Sequence, residues 1–189
     1  MFYNVIIVKL VKYPNPKIRT ISKNVKLPLN QRDLLIVKKM ITYIDESQKP
    51  NSLLREGIGI AAIQLGYAKR MFYVNVLVKD ENVKEVKAFK EFLINPVVLE
   101  ISKEKAALKN GEGCLSVNPK DDVFGLVHRQ RKIKVEGFSY FQNKKVVYEL
   151  EDLLAIVFQH ELAHLDGKLY FDFINKTKPW IKLKNEKLI

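Results

Sequence analysis

Two histidines four residues apart form the clearest chemical pattern in the chain, within the segment His-Glu-Leu-Ala-His at 160–164. If the segment is helical, both imidazoles project from one face, because four residues make about one helical turn. Two imidazoles on one face can bind a single metal ion, and Glu161 is then free to act as a general base. The alternative is a pair of core histidines bonded only to backbone, which an otherwise apolar helix disfavours because unpaired polar groups there are costly. The spacing therefore predicts a hydrolytic metal site.

A catalytic site of this kind needs a third protein ligand and one open position. Cys114, the only cysteine, lies in the segment Asn-Gly-Glu-Gly-Cys-Leu-Ser at 110–116. A thiolate and two imidazoles suit a divalent transition metal. Glu186 is a second candidate and would make the protein a zinc endopeptidase of the thermolysin kind. A metzincin site is disfavoured because Tyr170 stands where its third histidine belongs.

A third segment, Gly-Ile-Gly-Ile-Ala-Ala-Ile-Gln at 57–64, could contact a substrate. It is not a dinucleotide fingerprint, because its sixth position is Ala62 rather than glycine. Its small residues would let a substrate backbone approach closely, and Gln64 offers an amide donor to a developing oxyanion. An ordinary glycine turn before a strand is the alternative for this segment.

In order, spacing and residue identity, these three segments closely resemble the signature segments of peptide deformylases. The resemblance runs from about Pro14 to Phe171, and the long stretch between the first two segments is similar to the longer, type II bacterial form. It implies a metal-dependent hydrolase that removes the N-formyl group from the formyl-methionine of new polypeptides and releases formate. Fe(II) is the metal that the resemblance implies, and the ligand types also admit Zn(II), Ni(II) or Co(II).

The resemblance also implies a role for each site residue. Metal-bound water attacks the formyl carbon while Glu161 takes its proton and later protonates the departing amine. The oxyanion is stabilised by the Leu115 N–H and the Gln64 side chain. The metal ligands are Cys114, His160 and His164, and the substrate contacts are Ile58, Gly59 and Val157.

One position departs from the family pattern. Peptide deformylases usually have aspartate between the glutamate and the second histidine, where this chain has Ala163. Such an aspartate would pair with a nearby cation, such as Arg129, and help to hold the metal helix. All three predicted ligands are nevertheless present.

Length, composition and charge limit the remaining possibilities. The 189 residues are 47% hydrophobic and contain one cysteine, which predicts a single domain over 1–189 without an intrachain disulfide. No signal peptide and no apolar run of membrane-spanning length is evident, so we expect a soluble, cytoplasmic protein without a membrane partner. The net charge of +12 permits contact with the ribosome surface, although the lysines are scattered and predict no specific nucleic acid. A basic ribosome- or RNA-binding module with a structural metal is the second alternative function.

Hydrophobic periodicity predicts the elements that must position these residues. Apolar residues three and four apart indicate a surface helix from Leu34 to Ile44, with Asn30 as its cap. The segment from Asp152 to Leu165 is apolar nearly all round and predicts a buried helix that Gly167 ends. We expect an extended arm over residues 1–30, a turn at Asp80-Glu81-Asn82, and another turn at Asn143. Strands are expected at 71–78, 91–101, 123–128, 132–138 and 145–150. We therefore predict an α+β fold in which antiparallel sheets surround a central metal-binding helix, with an additional N-terminal helix.

Overall fold

The computed structural model describes residues 9–79, 86–121 and 123–189 and shows an α+β fold. Over these residues the chain forms two α-helices and two β-sheets. The helices are α1 (Gln31–Ser47) and α2 (Asp152–Leu165). The strands are β1 (Gly59–Ala61), β2 (Met71–Lys79), β3 (Val86–Ile101), β4 (Lys105–Ala107), β5 (Arg129–Gln130), β6 (Lys132–Ser139), β7 (Lys144–Glu151) and β8 (Lys187–Leu188). None of the described helices is long and apolar enough to cross a bilayer.

The larger sheet has the order β1-β2-β3-β6-β7 and is antiparallel throughout. In the smaller sheet, of order β5-β4-β8, β4 pairs antiparallel with β5 and parallel with β8. The predicted antiparallel α+β class is confirmed. The parallel pair brings the last residues of the chain against the strand that precedes the cysteine segment.

Helix α1 forms where the apolar spacing predicts it. The Asn30 side chain accepts a hydrogen bond from the Asp33 N–H at 3.0 Å, which satisfies a donor that the helix itself leaves unpaired. Of the residues that recur at helical spacing, Leu34 is exposed, and the others pack into one core cluster with residues of β2 and β3. The helix begins three positions before Leu34, because polar residues in its first turn carry no hydrophobic signal. Its buried apolar face consists of Ile36, Val37, Met40, Tyr43 and Ile44.

Helix α2 is the buried helix that the sequence predicts. It packs against β1, β2, β5 and β7, and the rings of Phe158 and Phe72 meet edge to face at 5.2 Å. The chain leaves the helix through Gly167, whose φ of +71° lies in the left-handed region. A Cβ at Gly167 would lie 2.3 Å from the Arg19 carbonyl oxygen, so the N-terminal arm passes directly over this turn.

One predicted strand is wrong. Residues 123–128 form only an isolated bridge between Val127 and Ile174, and the regular strand β5 covers two residues. The stretch is instead bonded to the C-terminal segment, since the Leu126 N–H donates to the Pro179 carbonyl at 2.8 Å. Over residues 9–30 the predicted extended arm contains one short 3₁₀ turn and an isolated bridge between Lys23 and Lys69, and it is otherwise irregular. Residues 1–8 and the predicted turn at 80–82 lie outside the described residues.

Candidate metal centre

Three predicted ligands meet at the inner face of α2. One donor atom from each of Cys114, His160 and His164 lies within 4.8 Å of the others. The two histidine rings are one helical turn apart, with centroids separated by 5.0 Å. The Cys114 Sγ, from the loop between β4 and β5, lies 3.2 Å from His164 Nε2. The three donors can therefore reach one ion.

The chemistry of the donor set fits a divalent cation. Burial would lower the pKa of His160, but the sulfur of Cys114 and the carboxylate of Glu112 outweigh it and raise that pKa to about 10. The site therefore favours positive charge at this point, which a bound cation would supply in place of the proton. Burial and nearby positive charge hold the pKa of His164 well below its usual value, so this imidazole is neutral and able to ligate.

A buried ion pair supports the first of these histidines. Arg129 donates from Nε and Nη2 to the two carboxylate oxygens of Glu112, at 2.8 and 2.9 Å. The same carboxylate lies 2.8 Å from His160 Nδ1. Burial would raise the pKa of Glu112, but the charges of Arg129 and His160 outweigh it and hold the pKa at about 2. A permanently ionised carboxylate thus fixes the orientation of the His160 ring.

Sequence reasoning missed the role of Glu112. Its position two residues before Cys114 was the available signal, because an acidic side chain beside a ligand often orients another ligand. Arg129, which we expected to be the partner of an aspartate at position 163, has Glu112 as its partner in this chain. The carboxylate of Glu112 thus neutralises the Arg129 side chain even though position 163 is alanine.

We expect Glu112→Gln to lower the free energy of unfolding by about 3–5 kcal/mol, because it leaves the Arg129 charge buried without a counter-ion. Urea denaturation measures this change. Glu46→Gln, which breaks the exposed pair between Glu46 and Lys49, is the matched control and should cost less than about 1 kcal/mol. The double variant Glu112→Gln/Arg129→Met should recover part of the loss. Equal effects of Glu112→Gln and Glu46→Gln would contradict the assigned importance of the buried pair.

Glu161 lies beside the donor set and is almost inaccessible to solvent. The residue is 3% exposed, and its Oε2 has no hydrogen-bond partner among the described residues. Burial raises the pKa of Glu161 to about 7. A carboxyl group with this pKa can both take up and release a proton near neutral pH.

Gly59 leaves the space that the Glu161 carboxylate occupies. A Cβ at Gly59 would lie only 2.4 Å from Glu161 Oε1, so any side chain there must displace the carboxylate. We expect Gly59→Ala to lower kcat by at least about 100-fold, the lower range for losing a general base, while the metal content stays unchanged. Gly113→Ala is the comparison, because its added methyl would meet its nearest atom at 3.9 Å and should change kcat only slightly. Steady-state kinetics with metal analysis tests both variants, and wild-type turnover in Gly59→Ala would refute this geometry.

The two predicted oxyanion donors, Gln64 and Leu115, line the same cavity as residues of α2. Gln64, in a 3₁₀ turn after β1, accepts from the Ala61 N–H at 2.8 Å and donates to Ser116 Oγ at 3.1 Å. These two bonds fix the orientation of the amide. Leu115 follows Cys114 directly, and its side chain packs against Gly57, where a Cβ would lie 2.7 Å from its Cδ1. The first and second motif segments are therefore in direct contact.

A cavity of about 320 Å³ opens over the donor set. It is lined by residues of all three motif segments, including the predicted substrate contacts Ile58, Gly59 and Val157. Ile58 is 39% exposed at the rim, whereas Val157 is buried. The remaining predicted site residues at this cavity are Gln64, Cys114, Leu115, His160 and Glu161, and His164 joins them through its contact with Cys114.

The alternative third ligand, Glu186, is engaged elsewhere. Its Oε1 lies 2.6 Å from His128 Nδ1, and its Oε2 accepts from the Leu183 N–H at 3.1 Å. The group of donors that could hold a metal among the described residues contains Cys114 and not Glu186. The geometry therefore offers no support for a thermolysin-like ligand set.

Comparison with known proteins gives a consistent result. The family model described as polypeptide deformylase matches residues 7–180. A peptide deformylase of Mycoplasmopsis pulmonis is 43% identical over 186 residues, covering 93% of this chain and 94% of the relative. One from Mycoplasma genitalium is 37% identical over 183 residues, covering 95% of this chain and 91% of the relative.

Solved structures show the same similarity in three dimensions. The crystal structure of a peptide deformylase from Ehrlichia chaffeensis matches with a TM-score of 0.73 and 29% identity, covering 90% of this chain and 89% of that one. A peptide deformylase from Acinetobacter baumannii, solved with Met-Ala-Ser bound, matches with a TM-score of 0.71 and 26% identity. That match covers 89% of this chain and 99% of the other.

Proposed function

The chain belongs to the peptide deformylase family, whose members depend on a metal, and on that premise we propose that it removes the N-formyl group from formyl-methionine at the start of new polypeptides. Formate and a peptide with a free amino terminus are the products. The observation that carries the proposal is the Cys/His/His donor set beside the buried Glu161, whose Oε2 has no hydrogen-bond partner among the described residues, in a cavity lined by all three motif segments. We propose that residues 1–189 act as one catalytic domain.

Cys114, His160 and His164 are the proposed ligands of one divalent ion, and Fe(II) is the proposed native metal. A mixed thiolate and imidazole set also accepts Zn(II), Ni(II) or Co(II). When bound, the metal supplies a Lewis acid that polarises water and the formyl oxygen. Glu112 and Arg129 keep the ring of His160 in place during turnover.

Glu161 is the proposed carrier of the proton. As water adds to the formyl carbon, the Glu161 carboxylate accepts a proton from that water. The carbon–nitrogen bond then breaks, and Glu161 returns the proton to the departing amine nitrogen. Its raised pKa, about 7, suits a group that must work in both directions. Because Gly59 has no side chain, the Glu161 carboxylate can lie directly against it, on the side where the peptide would bind.

The remaining site residues hold the substrate. The Gln64 amide nitrogen donates to Ser116 Oγ at 3.1 Å and contacts Cys114 Sγ at 3.9 Å, so its N–H on the side of the proposed metal ligand can donate to the oxyanion together with the Leu115 N–H. Each such donor is worth about 3 kcal/mol of barrier. Ile58 and Gly59 would bind the peptide backbone, and Val157 would line the apolar pocket for the methionine side chain. The relative that binds Met-Ala-Ser supports a peptide ligand of this kind.

Such substrates exist where polypeptides are made. We therefore propose that the chain works in the cytoplasm and meets its substrate beside the ribosome. The net charge of +12 supports such an encounter, because a cationic protein is attracted to phosphate-rich surfaces.

The experiment that tests the proposed function uses the purified chain, loaded with Fe(II) without oxygen, and the peptide formyl-Met-Ala-Ser. We expect release of formate with an equal amount of free amine, and no cleavage between Met and Ala. The matched peptide acetyl-Met-Ala-Ser should react far more slowly, because its added methyl must fit against the reacting carbon. Cleavage of internal peptide bonds, or no formate from the loaded protein, would refute the proposal.

A further inference from the structure

The C-terminal end of α1 is bonded directly to the first motif segment. Ser47 is the last residue of the helix, and Gln48 is its C-cap. The Ser47 Oγ accepts a hydrogen bond from the Gly57 N–H at 3.2 Å, and the Gln48 Nε2 donates to the Gly57 carbonyl oxygen at 2.9 Å. Both backbone polar groups of Gly57 are thus bonded to side chains at one helix end.

The Gln48 amide also joins this segment to the neighbouring strand. Its Nε2 donates to the carbonyl oxygen of Asn75, in β2, at 2.8 Å. The Asn75 N–H in turn donates to the Ile58 carbonyl oxygen at 2.9 Å. Gln48 therefore extends the contact between the first motif segment and β2 beyond the three residues of β1.

Regular structure alone gives the first motif segment little support. Residues 49–56, which connect α1 to it, form neither helix nor strand. β1 has only three residues and lies at the edge of the larger sheet. Few ladder hydrogen bonds hold so short an edge strand, so its exact position depends on the side chains that are bonded to it. The end of α1 supplies such bonds.

Gly57 also lies in the wall of the catalytic cavity. A Cβ there would lie 2.7 Å from Leu115 Cδ1 and 3.2 Å from Ile44 Cδ1, so the residue is enclosed between α1 and the cysteine segment. The next two residues, Ile58 and Gly59, are the proposed contacts of the peptide backbone. A shift of Gly57 would therefore displace the surface that receives the peptide.

We propose that Gln48 is a positioning residue, whose amide holds residues 57–59 where they bind the peptide that follows formyl-methionine. This role rests on the proposed function, in which Ile58 and Gly59 contact the peptide backbone. Gln48 is not one of the described residues that line the cavity, so it acts through Gly57.

The reacting groups are held by other contacts. The Gln64 amide is fixed by the Ala61 N–H and by Ser116 Oγ, and the proposed ligand His160 is held by Glu112. Loss of the Gln48 amide should therefore weaken binding of the peptide and leave the chemical step nearly unchanged. In kinetic terms, KM rises while kcat stays the same.

A purely structural role for Gln48 is the alternative, and Tyr73 provides a matched control. The Tyr73 hydroxyl donates to Asp45 Oδ1 at 2.8 Å, which joins the same helix to the same strand. This bond involves no residue of the three motif segments. Tyr73→Phe removes it and keeps the ring, so a general loosening of α1 against β2 would affect this variant as well.

The test compares Gln48→Met with Tyr73→Phe in the metal-loaded full chain. Methionine keeps the length of the side chain but cannot donate a hydrogen bond. For Gln48→Met we expect the KM for formyl-Met-Ala-Ser to rise about tenfold, with kcat and metal content within about twofold of the wild type. Formyl-methioninamide lacks the downstream peptide, so its kcat/KM should change much less. Tyr73→Phe should keep the wild-type ratio of kcat/KM between the two substrates.

An unchanged KM in Gln48→Met, or equal losses for the two substrates, would overturn the proposal. Deuterium uptake by the amides of residues 57–61 is measured on the same samples and should be faster in Gln48→Met than in Tyr73→Phe. This measurement requires no turnover and so separates the two proposals. Failure of the wild type to release formate would refute the proposed function, whereas equal uptake in the two variants would refute positioning by Gln48.

Discussion

Glu161→Gln is expected to retain the bound metal and to lose deformylation by roughly 100- to 10,000-fold, the range expected for removing a general acid–base group. The substitution keeps the shape of the side chain but removes its ability to take a proton. Because the Glu161 Oε2 has no partner among the described residues, the amide breaks no hydrogen bond seen in this structure. Since Glu161 takes up the proton only as water attacks, the substitution removes an interaction of the transition state, and the loss should appear in kcat and kcat/KM equally.

Two measurements separate this effect from misfolding. The metal content of Glu161→Gln should equal that of the wild type, and its midpoint in urea should not fall. Glu161→Asp provides a second variant, since it restores a carboxylate that stands about one methylene too far away. Turnover of formyl-Met-Ala-Ser at the wild-type rate in Glu161→Gln would eliminate Glu161 as the proton carrier.

Cys114→Ala is expected to abolish both the metal and the activity. The substitution removes one of three donors, and two imidazoles with solvent hold a divalent ion far more weakly than the complete set. We expect metal affinity to fall by more than about 100-fold, beyond the range typical of residues that only orient ligands. Because Cys114 is buried, replacement by alanine should also leave a small void but not prevent folding.

Glu186→Gln is the matched comparison for Cys114→Ala. Glu186 would be the third ligand in an endopeptidase, but its carboxylate is bonded to His128 and the Leu183 N–H. We expect this variant to keep one metal per chain and its deformylase activity. The opposite result, a metal-free Glu186→Gln and a metal-loaded Cys114→Ala, would replace the assigned ligand set. Elemental analysis of the two purified variants decides between them.

The parts of the fold that sequence predicts are those that local physics determines. The apolar spacing of α1 and the continuous apolar run of α2 each specify a helix from neighbouring residues alone. The placement of His160 and His164 on one face follows from the same helical geometry. The spacing within one helix therefore predicts these two donors before any tertiary contact is known.

The features that sequence reasoning missed depend on contacts between distant segments. β4 and β8 have only three and two residues, so their pairing exists only because the end of the chain returns to the loop before the cysteine. Residues 123–128 have strand-like composition, yet their Leu126 N–H bonds to Pro179 rather than to a sheet. A hydrophobic pattern within one window contains no information about such partners.

The ion pair between Glu112 and Arg129 is another contact between distant segments that the sequence does not predict. Its two members are seventeen positions apart, and the fold brings Arg129, in β5, against Glu112, in the loop that follows β4. Resemblance to a family could suggest that Arg129 needs an acidic partner, but the structure shows that Glu112 is that partner. The pair keeps a buried cation satisfied in a chain with Ala163.

The most direct test of the account measures metal content and formate release in the same anaerobic samples. The chain is purified without oxygen, and portions are stripped and then reloaded with increasing amounts of Fe(II). We predict that formate release from formyl-Met-Ala-Ser rises in proportion to bound metal and stops rising at one ion per chain. Formate release by the fully stripped protein, or saturation without any activity, would contradict a deformylase that uses the Cys114, His160 and His164 centre.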